Sequence, residues 1–153
     1  LREALPDDEN LIGETFSLLQ QHRPDFTLFF RALSQLPATV DAEKSAKIDD
    51  PLRDHFVDRA ACDAWLARWR ARQAQTPWED SARQAAMRAV NPKYVLRNWL
   101  AEGAIRKAQE RDFSEVGRLL ACLRHPFAEQ PEFEHYAALP PDWANGLEVS
   151  CSS

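Results

Sequence analysis

Apolar residues recur at intervals of three and four along most of the chain, and this spacing predicts α-helices. Prolines separate the periodic stretches and mark the boundaries between the predicted helices. No stretch shows the strict alternation of apolar and polar residues that is typical of a half-buried strand. The sequence therefore predicts an all-α fold, an irregular multi-helix bundle of about 6–7 helices with an extended C-terminal tail.

The pattern predicts four helices in the first ninety or so residues. Their predicted ranges are 8–21, a stretch that follows Pro24-Asp25 and closes before Pro37, 58–73 and 80–90. Residues 38–50 are charged and weakly patterned, so we predict a loop there. Asp50-Pro51 is predicted to begin a helix, because proline at the first helical position gives up an amide that has no partner anyway.

In the second half of the chain, Asn91-Pro92 is predicted to end one helix and to begin the next. The apolar face of that next helix would carry Val95, Leu96, Trp99, Leu100, Ile105 and Ala108. A further helix is predicted after a cap at Asp112. The pattern dissolves after Pro126, and Tyr136, Leu139, Trp143 and Leu147 are the side chains expected to hold the tail down. We expect one domain, with a helical part at 1–125 and a tail at 126–153 packed on it.

Length and charge narrow the class of protein. A chain of 153 residues is long enough for one hydrophobic core. No apolar run approaches the ~20 residues that a membrane-spanning helix needs, so no membrane role is expected. The net charge of -5 argues against nucleic-acid binding, which requires a basic surface. The chain begins at Leu1 without an initiator Met, and we expect it to be the C-terminal piece of a longer protein.

No complete catalytic or metal site is predicted from the residues. The four glycines form no phosphate-binding loop, and kinase motifs are missing from the sequence. Cys122 and His125 have the spacing of half a zinc site, but no second half lies at a recognisable spacing, so we predict no metal site. Cys62 shares a helical face with Trp65 and is predicted to be buried and inert.

Cys151 differs from the other two cysteines because it lies in the irregular tail, where a thiol is accessible. A free cysteine has a pKa of about 8.5, so only a small fraction is thiolate at neutral pH. Cys151 is therefore a poor nucleophile but a plausible disulfide partner. The alternative is an ordinary solvent-exposed residue at a frayed chain end.

Several segments carry a resemblance to a known family. Residues 87–100, with the sequence MRAVNPKYVLRNWL, resemble a segment of the selenoprotein O family, whose bacterial members are called YdiU. The segments PPDW at 140–143 and LEVSCSS at 147–153 resemble the C-terminus of that family, and residues 25–31 give a weaker match. The resemblance covers nearly the whole chain.

The resemblance implies an activity for the parent protein. Members of the family are kinase-like proteins that bind ATP in a flipped orientation and transfer AMP to protein Ser, Thr or Tyr hydroxyls with Mg or Mn. It also implies that the kinase-like domain, with its ATP and metal sites, lies upstream of this chain. The expected partners are that domain and the protein substrates, with no catalytic residue and no cofactor in this chain itself. A bacterial cytoplasmic location is expected.

The resemblance also implies roles for particular residues. Cys151 matches the position at which some members have selenocysteine, which implies a redox role and pairing with an upstream cysteine. Lys93, Arg97 and Asn98 are expected to contact the upstream domain.

Two other functions stay open: a helical module that recruits substrates or partners, with an incidental terminal thiol, and a nucleic-acid-binding helical domain.

Overall fold

The structure is a computed structural model that describes residues 3–40, 42–144 and 146–147, with the backbone alone at 42–46. These residues form α-helices and two short 3-10 helices, and the part described contains no strand. The α-helices are α1 Asp8–His22, α2 Phe26–Leu33, α3 Ala42–Arg53, α4 Arg59–Gln75, α5 Asp80–Val90, α6 Asn98–Gln109 and α7 Ser114–Leu123. The 3-10 helices are Pro131–Ala137 and Asp142–Ala144. The predicted all-α fold is confirmed.

The contacts divide the chain into two compact units, with the division between Asn91 and Pro92. We call them the N-terminal unit, which contains α1–α5, and the C-terminal unit, which contains α6, α7 and the 3-10 helices. The boundary predicted from the sequence, between a helical part and a tail, is at residue 125. That the chain forms one domain with a tail packed on it stays a prediction.

Aromatic rings form the centre of the N-terminal unit. Phe29 is fully buried, and its ring centroid lies 5.0 Å from that of Phe30, 5.8 Å from that of Phe56 and 5.4 Å from that of Trp65. Tilted and edge-to-face ring pairs of this kind each contribute about 0.5–1.5 kcal/mol beyond the burial of their area. The rings therefore join α2, α4 and the turn after α3 in one core.

A buried hydrogen bond links α1 to α4 inside this core. The indole nitrogen of Trp65 donates to Thr15 Oγ1 at 3.0 Å, and the Thr15 hydroxyl donates to the Leu11 carbonyl at 2.7 Å. Both side chains are buried, and an unpaired indole N–H would be costly there. Thr15 thus satisfies the one polar atom of a core tryptophan.

A buried ion pair joins the beginning of α1 to the end of α4. The guanidinium of Arg72 donates to both carboxylate oxygens of Asp8, and it also donates to Thr76 Oγ1 at 2.8 Å and to the Glu3 carbonyl. The hydrogen bond from Arg72, with one from the Leu5 backbone amide, lowers the pKa of Asp8 to about 2.

Residues predicted to be a loop form most of α3, so the prediction of a loop at 38–50 is wrong. Pro51 lies inside this helix and does not begin it, which corrects the second prediction for this segment. The reason lies in contacts with α4: Arg70 donates to both oxygens of Asp49, at 2.7 and 2.6 Å, and Leu52 is fully buried. Such bidentate pairs and core contacts fix a helix whose own pattern is weak.

The C-terminal unit has its own core, formed where α6 packs on α7 and on the 3-10 helix Pro131–Ala137. Its buried residues are Tyr94, Leu100, Ala104, Leu119, Cys122, Tyr136 and Ala137. The helix predicted from Pro92 begins at Asn98 instead, so Val95 and Leu96 are not helical. The reason is that the amides of Lys93 and Tyr94 both donate to the Pro126 carbonyl, which holds this segment in an irregular path.

The segment after Pro126 is held by a few side chains. Tyr136 is buried and donates to Glu115, as the prediction of a tail anchor requires. Trp143 stays about half exposed, with the Arg106 guanidinium 5.2 Å from its ring centroid, a cation–π contact. Leu139 is exposed, so its predicted anchoring role is wrong. Its neighbours Ala138 and Pro140 are exposed as well, so this stretch has no core to enter.

Replacing Thr15 with Val should lower the free energy of unfolding by about 1–3 kcal/mol, because the buried indole N–H of Trp65 loses its acceptor. Chemical denaturation followed by tryptophan fluorescence measures this change. Ser17→Ala is the matched control: Ser17 makes the same kind of bond, to the Gly13 carbonyl, but on the exposed face of α1. An equal effect of the two substitutions would contradict the role given to the Thr15–Trp65 bond.

The Asp8–Arg72 pair should make stability depend on acid pH. The folded-state pKa of Asp8, about 2, is lower than the pKa of 3.8 expected for this carboxyl in the unfolded chain. The stability that the ion pair supplies is therefore fully present above pH 3.8 and is lost as the pH falls toward 2. In thermal unfolding, the Tm of Asp8→Asn should be lower than that of the wild type at neutral pH and should approach it near pH 2. Asp7→Asn, a change at the exposed neighbouring residue, is the control and should not show this convergence.

Candidate functional site

The segment before α6, residues 92–97, is the first candidate site because the sequence placed three functional residues in or beside it. Its backbone is fixed by the Pro126 carbonyl, which accepts the Lys93 and Tyr94 amides at 2.8 and 3.1 Å. The Tyr94 hydroxyl donates to the Gln130 carbonyl at 2.9 Å, and its ring is buried. The segment is thus tied to the chain that follows α7.

Lys93 forms the charged centre of this candidate site. Its ammonium lies 2.6 Å from carboxylate oxygens of both Glu129 and Glu134, and 5.7 Å from the ring centroid of Tyr94. Burial by itself would lower the pKa of Lys93, but the hydrogen bonds from its ammonium to the two glutamates outweigh burial and raise it. Lys93 is therefore a permanent cation with two carboxylate partners inside the C-terminal unit. Its predicted contact with another domain stays a prediction.

Arg97 and Asn98 stand at the beginning of α6. Arg97 is the N-cap residue, with an extended backbone and a half-buried side chain. Asn98 is exposed, and its amide nitrogen donates to the Leu147 carbonyl at 3.3 Å. Asn98 therefore contacts the tail, while Lys93 contacts Glu129 and Glu134, so these two residues have different partners. The expected interdomain role of Arg97 and Asn98 also stays a prediction.

The two cysteines within the described residues are free and buried, as the sequence predicted for Cys62. Burial raises the pKa of the Cys62 thiol to about 12, and burial also raises the pKa of Cys122. Neither thiol is ionised at neutral pH, so neither has the thiolate that nucleophilic attack requires. Cys151, the predicted redox residue, lies outside the described residues.

Cys122 and His125, the possible half of a zinc site, both bind the side chain of Gln130 through their backbone carbonyls. The Gln130 side-chain nitrogen donates to the carbonyls of Cys122 and His125, at 3.1 and 3.0 Å, and lies 3.8 Å from the Cys122 sulfur. Cys122 is buried while His125 is exposed. Across residues 3–40, 42–144 and 146–147, no group of three His, Cys, Asp or Glu residues is placed to hold a metal ion.

An apolar cavity of about 240 Å³ lies in the N-terminal unit, and sequence reasoning did not predict it. Two indole rings, those of Trp65 and Trp69, form part of its lining, and Arg83 lies beside them. Arg83 is buried, with its guanidinium 5.2 Å from the Trp69 ring centroid and 2.8 Å from Asp80. Arg83 lies on the same face of α5 as Met87, four residues later, but arginine is rarely buried, so its burial was not predicted.

Several polar side chains that are buried in the N-terminal unit thus bind other side chains of that unit. Asp8 is paired with Arg72, Asp49 with Arg70, and the Thr15 hydroxyl with Trp65. None of these carboxylates or hydroxyls is free to act as a base or a nucleophile. These polar groups therefore hold helices of the N-terminal unit together.

None of the described helices is both long enough and apolar enough to cross a membrane.

Comparison with known proteins gives a consistent set of relatives. The family model "Protein adenylyltransferase SelO" matches residues 2–124. A protein nucleotidyltransferase YdiU of Dechloromonas aromatica is 74% identical over 153 residues, which is all of this chain and 31% of that relative. The YdiU proteins of Cupriavidus pinatubonensis and Herminiimonas arsenicoxydans are 57% and 55% identical, with 96% and 100% of this chain covered and 27% and 30% of theirs.

The chain therefore spans about a third of the length of these relatives. The family model covers well over half of the chain, and the resemblance carried by residues 87–100 is confirmed. The chain belongs to the SelO family of protein adenylyltransferases.

Proposed function

We propose that this chain is the helical C-terminal part of a protein adenylyltransferase, and that it supports the kinase-like catalytic region in the rest of the polypeptide. The full protein would transfer AMP from ATP to Ser, Thr or Tyr hydroxyls of other proteins. The observation that carries this proposal is the match of the whole chain, at 74% identity, to 31% of a relative named protein nucleotidyltransferase. That relative has more than twice as much polypeptide outside the match as within it.

The contacts of the described residues support a structural role. The buried carboxylates of Asp8 and Asp49 are held by arginines of α4, and these two pairs join α1 and α3 to that helix. A carboxylate that binds an arginine in a buried pair is not available to hold the magnesium of a nucleotide. The residues that bind ATP would then belong to the rest of the polypeptide.

No three of the described acidic residues lie close enough together to bind a metal ion. Magnesium binds carboxylates together with nucleotide phosphates, but the described acidic residues do not converge in a group that could hold a metal ion. The described residues therefore do not fit a Mg or Mn site, and we derive no metal-dependent step from them. ATP and Mg or Mn are proposed as cofactors of the full protein alone.

We also propose that Cys151 is a redox-sensitive latch between this chain and the catalytic region. The physical support is the contrast among the cysteines: Cys62 and Cys122 are buried, and burial raises the pKa of both thiols. Cys151 is the remaining cysteine of the sequence. Disulfide formation between Cys151 and a thiol of the catalytic region would release two electrons and two protons to an oxidant, such as a disulfide of low molecular weight.

A second candidate function is a helical module that recruits protein substrates, with no redox role. The observation that favours it is the exposed apolar pair Ile12 and Phe16, four residues apart on one face of α1. Exposed apolar residues at helical spacing are common in surfaces that bind other proteins. For either function we propose the bacterial cytoplasm as the place of action, because ATP and reduced thiols are found there.

AMP transfer should require polypeptide beyond this chain. With labelled ATP, Mg or Mn and a protein acceptor, the full-length protein should label the acceptor, while the 153-residue chain should not. The physical reason is that the described acidic residues do not form a group that could hold the metal ion of a nucleotide. Transfer of AMP by the 153-residue chain alone would refute the division of roles.

Replacing Cys151 with Ser in the full-length protein should remove the difference in AMP transfer between oxidising and reducing conditions. It should also remove a band that migrates faster on a non-reducing gel, since the internal cross-link can no longer form. Ser153→Ala, two residues away in the same tail, is the control and should behave as the wild type. If Cys151→Ser responds to oxidant as the wild type does, the latch is wrong and the recruiting module is favoured.

A further inference from the structure

Helix α7 presents apolar residues on two sides. Leu119 and Cys122 are buried in the core of the C-terminal unit. Phe113, Val116 and Leu120 remain 64%, 45% and 52% exposed, and we call these three residues the outer α7 stripe. Val116 and Leu120, four residues apart, lie on one face of the helix, and Phe113 is the N-cap residue that precedes it. A surface helix should be polar on its outer face, whereas a helix that is apolar all round belongs inside a larger structure.

The polar residues of α7 leave this stripe uninterrupted. Glu115 accepts a hydrogen bond from the Tyr136 hydroxyl and one from Lys107 at 3.0 Å, so it is committed to its own unit. Arg118 is exposed and lies 3.9 Å from Glu115. Gly117 and Ala121 are also exposed, and they add no charge to this side of the helix.

No contact or backbone conformation among the described residues requires glycine at position 117. Its backbone is helical, and a Cβ built on it meets nothing within 4 Å in the part of the chain that the structure describes. Glycine in the middle of a helix costs about 0.5–1 kcal/mol relative to alanine. A glycine next to an exposed apolar stripe is explained if another backbone approaches the helix closely at that point.

We propose that the outer α7 stripe is the surface on which the rest of the same polypeptide docks. The inference rests on the proposed function, because it takes the partner to be the catalytic region of the parent protein. The length of a relative points to this occupant, since the chain accounts for only 31% of a relative that matches all of it at 74% identity. The polypeptide available to cover α7 is thus about twice the size of the chain itself.

The size of the stripe also favours a partner in the same polypeptide. A stable complex between separate proteins buries about 800 Å² on each partner, and three half-exposed side chains offer much less. Docking within one polypeptide needs no such area, because the connection already supplies a high effective concentration. A second copy of the chain is therefore the less suitable occupant.

Charged substitutions in the stripe test this inference in the full-length protein. Val116→Glu and Leu120→Glu should each lower the Tm by about 3 °C or more, because a carboxylate would be buried at the contact. Limited proteolysis should also release the C-terminal region faster from these variants. Val57→Glu is the matched control: Val57 is fully exposed between α3 and α4, so its Tm should not change. Equal Tm values for Val116→Glu and Val57→Glu would overturn the proposal.

Gly117→Ala gives a second, opposite test that does not depend on a disruptive charge. Helix propensity alone predicts that alanine raises the Tm, and Gly103→Ala, at a position that is equally uncrowded, should show that rise. If another backbone packs on α7, Gly117→Ala should lower the Tm instead, because the new methyl group occupies the contact. A rise in the Tm of Gly117→Ala like that of Gly103→Ala would contradict the close approach at Gly117.

Two further readouts separate the alternatives. If the wild type is a dimer and Val116→Glu is a monomer with an unchanged Tm, the occupant is a second copy and the proposal is overturned. Failure of the wild-type protein to transfer AMP would remove the proposed catalytic function. The Tm and proteolysis results would still decide whether α7 docks on the remaining polypeptide.

Discussion

The N-terminal unit depends on hydrogen bonds that one helix, α4, makes with its neighbours. Trp65 donates to Thr15 of α1, Arg70 binds Asp49 of α3, and Arg72 binds Asp8 at the beginning of α1. Removing one partner of a buried ion pair is destabilising, because the other charge is left without compensation. These bonds specify which faces of α1 and α3 pack on α4, while the aromatic rings around Phe29 supply the apolar contact area.

Hydrogen bonds between distant residues also fix the packing of the C-terminal unit, but they involve different groups. The Pro126 carbonyl accepts two backbone amides, and Tyr94 and Gln130 bond to each other across the same turn. Lys93 adds a charged pair with Glu129 and Glu134. Lys93 and Tyr94, which carry part of the family resemblance, are thus placed by a distant part of the chain. Their observed contacts are within this unit, which gives the segment a structural role whatever else it contacts in the full protein.

These arrangements bear on function because carboxylates, thiols and hydroxyls, the side chains that catalysis requires, are bound or buried in them. Buried carboxylates are bound to arginines, the buried thiols of Cys62 and Cys122 are kept protonated by their raised pKa, and Thr15 is bonded on both sides. The described part of the chain thus uses these groups in its own packing. The outer α7 stripe stays exposed beside Gly117.

The sequence by itself determined the helices whose signals are local. Asp25 and Asp58 cap α2 and α4 by accepting the amides of Leu28 and Ala61, and α5 has the predicted bounds, because periodicity and capping act within about four residues. The family also followed from the sequence. Only the tertiary structure decided that residues of the predicted loop belong to α3, that α6 begins at Asn98, that Arg83 is buried and that Lys93 pairs with two glutamates. Each of those features depends on partners tens of residues away, such as Arg70 for Asp49 or Pro126 for Tyr94, and the local pattern contains no information about them.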